Sequence, residues 1–116
     1  MSGMAYDERL ADRIRDVLAD AAGVAIVEKK MFGGLAFMAD GNLAVGISNR
    51  SELMVRVGPE AADDALARPH TRIFDMGARP MKGWVLVEPD GIKTKRQLAA
   101  WVGRGVAFAQ SLPPKG

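Results

Sequence analysis

Two apolar runs, Leu35–Met38 and Leu43–Ile47, stand on either side of Asp40-Gly41, and this arrangement restricts the fold more than any other part of the sequence. Asp-Gly supplies the positive φ angles of a tight two-residue β-turn, so the two runs read as a hairpin. Simple pairing across that turn sets Met38 against Leu43 and Ala36 against Val45. One face then holds Ala36, Met38, Leu43, Val45 and Ile47, and the other Leu35, Phe37, Ala44 and Gly46. Both faces are apolar. Such a hairpin lies inside a sheet that is covered on each side, or it keeps one face for a partner.

The flanking segments extend this pattern. From Asp7 to Ala21, Leu10, Ile14, Val17, Leu18 and Ala21 fall on one helical stripe, with Asp7 in the capping position and Gly23 as the stop. Val24–Met31 and Leu53–Val57 read as strands. Gly58-Pro59 opens a short helix running through Ala67, which Arg68-Pro69 ends. Thr71–Phe74 and Trp84–Val87 are two further strands, joined by a connection rich in turn residues at Gly77-Ala78-Arg79-Pro80. Pro89-Asp90-Gly91 is a turn. Thr94 and Gln97 have capping-box spacing and start a last helix, whose Leu98, Trp101, Val102, Gly105, Phe108 and Ala109 point to the core before Pro113-Pro114 stops it. The order is α-β-β-β-β-α-β-β-α. Strands arriving in runs make this an α+β fold with a mainly antiparallel sheet and flanking helices. No linker or repeat divides the 116 residues, so residues 1–116 form a single domain.

Composition narrows the chemistry. With no cysteine and one histidine, His70, the sequence excludes disulfide frameworks, zinc ribbons, thiol nucleophiles and multi-histidine metal sites. No metal or cofactor is expected. The N-terminus has no secretory signal pattern and no apolar run reaches the roughly 20 residues of a membrane span, so a cytoplasmic protein without membrane contact is expected. Asn49-Arg50-Ser51 matches a glycosylation sequon that has no meaning without a secretory route. Charge is uneven: residues 1–67 carry 7 basic and 11 acidic side chains, residues 68–116 carry 9 and 3. That asymmetry suits an acidic partner or nucleic acid, although scattered surface charge accounts for it equally simply.

Catalytic residues do not assemble from this sequence. Gly103-Arg104-Gly105 lies inside a helix and lacks the rest of a dinucleotide fingerprint, and Lys82 has no phosphate-cradling loop before it. Asp63-Asp64 reads as solvated charge, and Glu28, Asp75 and His70 are too scattered to form a constellation. Two segments are more informative. Lys30-Met31-Phe32-Gly33-Gly34 places paired glycines after an aromatic residue, which suits a tight reversal or a close backbone approach. Arg79-Pro80-Met81-Lys82-Gly83-Trp84 sets two cations and an indole together, suited to an anion, a base or a partner surface. Core packing of Trp84 with Lys82 snorkelling beside it is the plainer alternative. The candidate partner-binding residues are therefore Lys30, Phe32, Gly33, Gly34, Arg79, Lys82 and Trp84.

Four ordered segments add a family resemblance: Lys29-Lys30-Met31-Phe32-Gly33-Gly34, Leu53-Met54-Val55-Arg56-Val57-Gly58, Arg79-Pro80-Met81-Lys82-Gly83-Trp84-Val85 and Ser111-Leu112-Pro113-Pro114-Lys115. Together, from about residue 7 to the C-terminus, the chain resembles the N-terminal domain of the TfoX/Sxy family of competence regulators. Gly77-Ala78-Arg79 stands where a Thr-Gly-Arg-like run is the family pattern. The resemblance implies a compact two-layer α+β unit similar to secretion-chaperone-like folds, and it carries over no catalytic residues. Longer regulators of this family add a C-terminal helical domain and are linked to transcriptional activation of DNA-uptake genes alongside the cyclic-AMP receptor protein. This chain reads as a stand-alone N-terminal unit.

The functional expectation is a non-enzymatic cytoplasmic protein-interaction module, its partner another protein such as a transcription regulator. A module that binds nucleic acid weakly through the basic C-terminal half is the alternative. A small enzyme with an unrecognised site is the third. A homodimer is expected if the second hairpin face is exposed.

Overall fold

Six strands form one antiparallel sheet in the spatial order β1-β2-β3-β4-β6-β5. They are β1 (Ile26–Met31), β2 (Gly34–Ala39), β3 (Asn42–Ile47), β4 (Leu53–Arg56), β5 (Thr71–Met76) and β6 (Arg79–Val87). Three α-helices accompany them, α1 (Glu8–Ala19), α2 (Ala62–Leu66) and α3 (Lys95–Ser111). The computed structural model describes residues 7–20, 23–31, 33–48, 52–76 and 79–113. Ala21, Phe32, the Asn49-Arg50-Ser51 sequon, Gly77-Ala78 and Pro114-Lys115 lie outside them. The α+β class and the element order are those expected from the sequence.

Local chemistry accounts for the helix ends. Asp7 caps α1, its Oδ1 accepting from the backbone N–H of Arg9 at 2.9 Å and of Leu10 at 3.3 Å. Thr94 and Gln97 make the reciprocal capping box that starts α3. Asp40 and Gly41 take φ angles of 52° and 84°, as a tight turn of opposite hand to the ordinary one demands. Asp40 also holds the entry to β1: its N–H donates to Ala25 O, and its Oδ1 accepts from Ala25 N.

The hairpin register departs from the simple pairing. Met38 does face Leu43, but a β-bulge between Phe37 and Met38 then sets Phe37 against Val45, Ala36 against Gly46 and Leu35 against Ile47. One extra residue shifts the remainder of β3 by one position and moves Val45 and Ile47 to the face of Leu35 and Phe37. That exchange sorts the side chains. Large apolar residues gather on one face, and Ala36 and Gly46 are left on the other.

The bulky face is the core. Leu35, Phe37, Val45, Leu53, Val55 and Val85 pack there with Leu10, Ile14 and Leu18 of α1 and Leu98, Val102 and Val106 of α3. Ala65 of α2 joins the same cluster, and Thr71 Oγ1 donates to carbonyls at the end of that helix. All three helices thus lie on one side of the sheet. Ala36 and Leu86 are buried yet belong to no part of that cluster, because they face the opposite side.

Three further expectations need correction. The short helix starts at Ala62 rather than at Pro59. Gly58, with φ 90°, and Pro59 are taken up by packing against Gly83, so the chain is not free to coil until it has passed them. The Arg79-Pro80 segment is a strand and not a loop, since β6 begins at Arg79. Pro80 is tolerated because β4 pairs with β6 only from Trp84 onward, so at Pro80 the strand has a neighbour on one side only and is an edge there. Phe108, expected in the core, is half-buried at its margin beside Arg56.

Candidate interaction surface

The strand geometry separates the two segments singled out by sequence. Lys30, Gly33 and Gly34 lie where β1 turns into β2, at the end of the sheet marked by the row Leu35–Ile47–Leu53–Val87. Arg79 and Lys82 lie on β6 below its last pairing with β4, at Arg56–Trp84, which is the other end of the sheet. The strand order also places the two hairpins at opposite edges. They do not form one site.

The glycines of the first segment have distinct tasks. Gly33 adopts φ 75° in the reversal, a conformation that a side chain resists. Gly34 is buried, and a Cβ on it would fall on the Ile47 carbonyl, with the Ile47 carbonyl carbon at 3.1 Å. Close approach of β2 to β3 therefore accounts for Gly34, and Lys30 is an exposed cation on the edge strand.

The second segment is built more elaborately. Gly83 takes φ 88°, and its carbonyl accepts from both Val57 N at 2.9 Å and Gly58 N at 3.0 Å. A Cβ at Gly58 would run into the Phe108 ring, whose face carries the Arg56 guanidinium at 5.3 Å. Two of the sequence motifs, Leu53–Gly58 and Arg79–Val85, are thus knitted together through Gly83. Below this knot, β5 and β6 continue as a two-stranded ribbon, with Asp75 opposite Pro80 and Met76 opposite Arg79. Lys82 is exposed on the ribbon. Trp84 is half-buried at its base on the helix-free face, its ring 5.9 Å from that of Phe74. It does not fill the helical core.

The scattered catalytic candidates stay scattered. Glu28 is on edge strand β1, where Arg15 binds it through two hydrogen bonds of 2.7 and 2.8 Å. That contact holds the carboxyl below its usual range against a smaller opposing effect of burial, and it raises the guanidinium further. The pair edges a shallow cleft of about 180 Å³, lined also by Leu18, Ala19, Ile26 and Phe37. His70, with φ 65°, precedes β5 at the upper end of the sheet, and Asp75 lies toward its lower end. Among the described residues no group of three or more His, Asp and Glu side chains comes together, and no helix is long and apolar enough to cross a membrane.

Sequence reasoning missed two participants. Asn42 is buried, and its Nδ2 donates to Pro113 O at 3.0 Å and Ala109 O at 3.4 Å, latching the end of α3 to the sheet. A lone polar residue opening an apolar strand was the available signal. Phe74 was read only as a strand residue, and its contact with Trp84 follows from the β5–β6 register, which continues from Ile73–Val85 to set the two opposite each other and which the sequence pattern does not reveal.

These features define an α+β domain with its three described helices on one face of an antiparallel sheet and a basic ribbon that extends past the last β4 pairing. Residues 16–109 match the family model described as the TfoX N-terminal domain, and the chain belongs to that family. No curated protein sequence matches it significantly.

Proposed function

We propose that this chain is a non-catalytic regulatory module of the competence-regulator type that acts in the cytoplasm by binding another protein through the β5–β6 ribbon. The observation that carries this reading is the ribbon itself. It extends past the last β4 pairing and carries Arg79 and the exposed Lys82, and its base is held by Gly83 and the Phe74–Trp84 contact. A ribbon already ordered by Pro80 and by β-pairing loses less conformational entropy when a partner docks. The expected partner is a protein with carboxylates facing the two cations, such as a transcription regulator.

The double variant Arg79→Glu with Lys82→Glu tests this. An unchanged melting curve with loss of the native partner supports the ribbon as the site. Unchanged melting with full recovery of the partner removes it. A second reading draws on the same ribbon, since the major groove of B-DNA admits a two-stranded β-ribbon. It calls for a duplex titration at several salt concentrations. Weak binding that falls steeply with salt leaves the protein partner as the function, and sub-micromolar binding with sequence preference at physiological salt replaces it.

A further inference from the structure

Strand β1 forms the edge of the sheet away from the ribbon, and its pairing with β2 fixes which of its backbone groups are used. Asp40 N donates to Ala25 O, which makes Ala25–Asp40 a hydrogen-bonded pair of the antiparallel ladder. The register alternates from there without a shift. Val27, Lys29 and Met31 turn their N–H and C=O groups to Met38, Ala36 and Gly34. Ile26, Glu28 and Lys30 turn theirs away from the sheet. An edge of this kind is a template for one more strand.

Side chains along the edge define what that strand carries. Residues opposite each other in a ladder share a face, so a guest residue beside Ile26 or Glu28 points to the helix side. There it meets the cleft of about 180 Å³ between α1 and the two outer strands, lined by Leu18, Ala19, Ile26 and Phe37. That space suits an aliphatic side chain and is too small for a typical small-molecule ligand. Val27, 58% exposed on the other face, offers a further apolar contact. Charge sets the rest. Glu28 is already held by Arg15, which also binds Asp12. Lys29 and Lys30 are exposed, one on each face, and neither makes an ion pair with a described residue.

We propose that β1 is a docking edge for an extended acidic peptide segment of another protein. The segment adds to the sheet as a further strand, seats an aliphatic side chain in the α1–β1 cleft and sets carboxylates beside Lys29 and Lys30. Main-chain hydrogen bonds to Ile26, Glu28 and Lys30 supply affinity, and the cleft and the two cations select the sequence. A second copy suits the edge less well. Two-fold pairing of β1 with itself, centred on Glu28 or Lys29, sets like charges directly opposite, which is destabilising. Centred on Val27, it puts the lysines opposite Ala25 and Val24, with no carboxylate to meet them. The docking edge goes beyond the proposed function, since it lies across the sheet from the ribbon and uses none of the ribbon's residues.

Fluorescence anisotropy of a labelled peptide of alternating Val and Glu, titrated with the full chain, is the test. A Ser–Glu peptide of equal charge and a Val–Lys peptide serve as comparisons, and only the Val–Glu peptide should bind saturably. Lys29→Glu with Lys30→Glu should weaken it roughly tenfold or more. Ala19→Phe, which fills the cleft from an exposed helix position, should weaken it by a similar factor. Glu28→Pro removes an outward N–H and should abolish binding, whereas Glu28→Gln keeps that N–H and should retain it. Melting curves of each variant check the fold. Residue-resolved amide exchange of the wild-type chain needs no variant: saturating peptide should slow Ile26, Glu28 and Lys30 and leave Val27 and Lys29 unchanged. Equal binding of either comparison peptide, binding of none, or unaltered exchange at the three outward amides overturns the proposal. So does protection of those amides by raising the protein concentration alone, which would give the edge to a second copy.

Discussion

Two glycines separated by one residue in α3 should respond to alanine with opposite signs. Gly103 is exposed, and a Cβ there would meet nothing within 4 Å. Only backbone entropy changes, so Gly103→Ala should stabilise the protein by about 0.5–1 kcal/mol. Gly105 is buried against β3. Its Cβ would fall on the Ala44 carbonyl, with that carbonyl's carbon at 3.0 Å and Val45 Cγ1 at 2.7 Å. The obstacle is backbone and cannot rotate away, so α3 must retreat and loosen Leu98, Trp101, Val102 and Val106 together. Overpacking of this kind costs about 1–3 kcal/mol, which exceeds the helix-propensity gain and leaves Gly105→Ala roughly 1–2 kcal/mol less stable. Urea melts with unchanged slopes measure the difference, which should be about 1.5–3 kcal/mol between the variants. If Gly105→Ala proves as stable as Gly103→Ala, the close contact of α3 with β3 is refuted.

Three other substitutions address separate contacts. Gly34→Val should cost several kcal/mol in a denaturant melt through collision with Ile47, and an unchanged midpoint would show that β2 and β3 are not so close there. Asn42→Ala should lower stability by about 1–3 kcal/mol and speed amide exchange in the last turn of α3, because the latch to Ala109 and Pro113 is lost. Glu28 has a depressed carboxyl pKa, so its pairing with Arg15 stabilises the fold above the ordinary carboxylate range and is lost as pH falls through the folded value. Glu28→Gln should therefore cost no more than about 1 kcal/mol at pH 7, the pair being partly exposed, and the deficit should vanish in acid and shrink at high salt.

Element types and their order were legible in the sequence because Asp40-Gly41, the Thr94/Gln97 box and the stripe of α1 are local signals. Register was not. The bulge at Phe37/Met38 inserts a residue without a sequence mark, and it decides which of Ala36 and Phe37 meets the helices. The extent of β6 was also hidden, because Pro80 reads as a breaker until β4 is known to stop short of it. The two segments that hold the candidate partner-binding residues carry suitable chemistry, but their placement depends on strand order, a long-range property, which sends them to opposite edges. Trp84 was undecided between core and surface for the same reason: alternation tells which residues share a face, and only the placement of the helices tells which face is covered.

Hydrogen–deuterium exchange of the native chain, with and without its co-purified protein partner, tests the central claim most directly. Binding through the ribbon should protect the peptides spanning β5 and residues 79–84 of β6 and leave the exposed sides of α1 and α3 unchanged. Protection of either helix, with the ribbon exchanging as in the free chain, would contradict it.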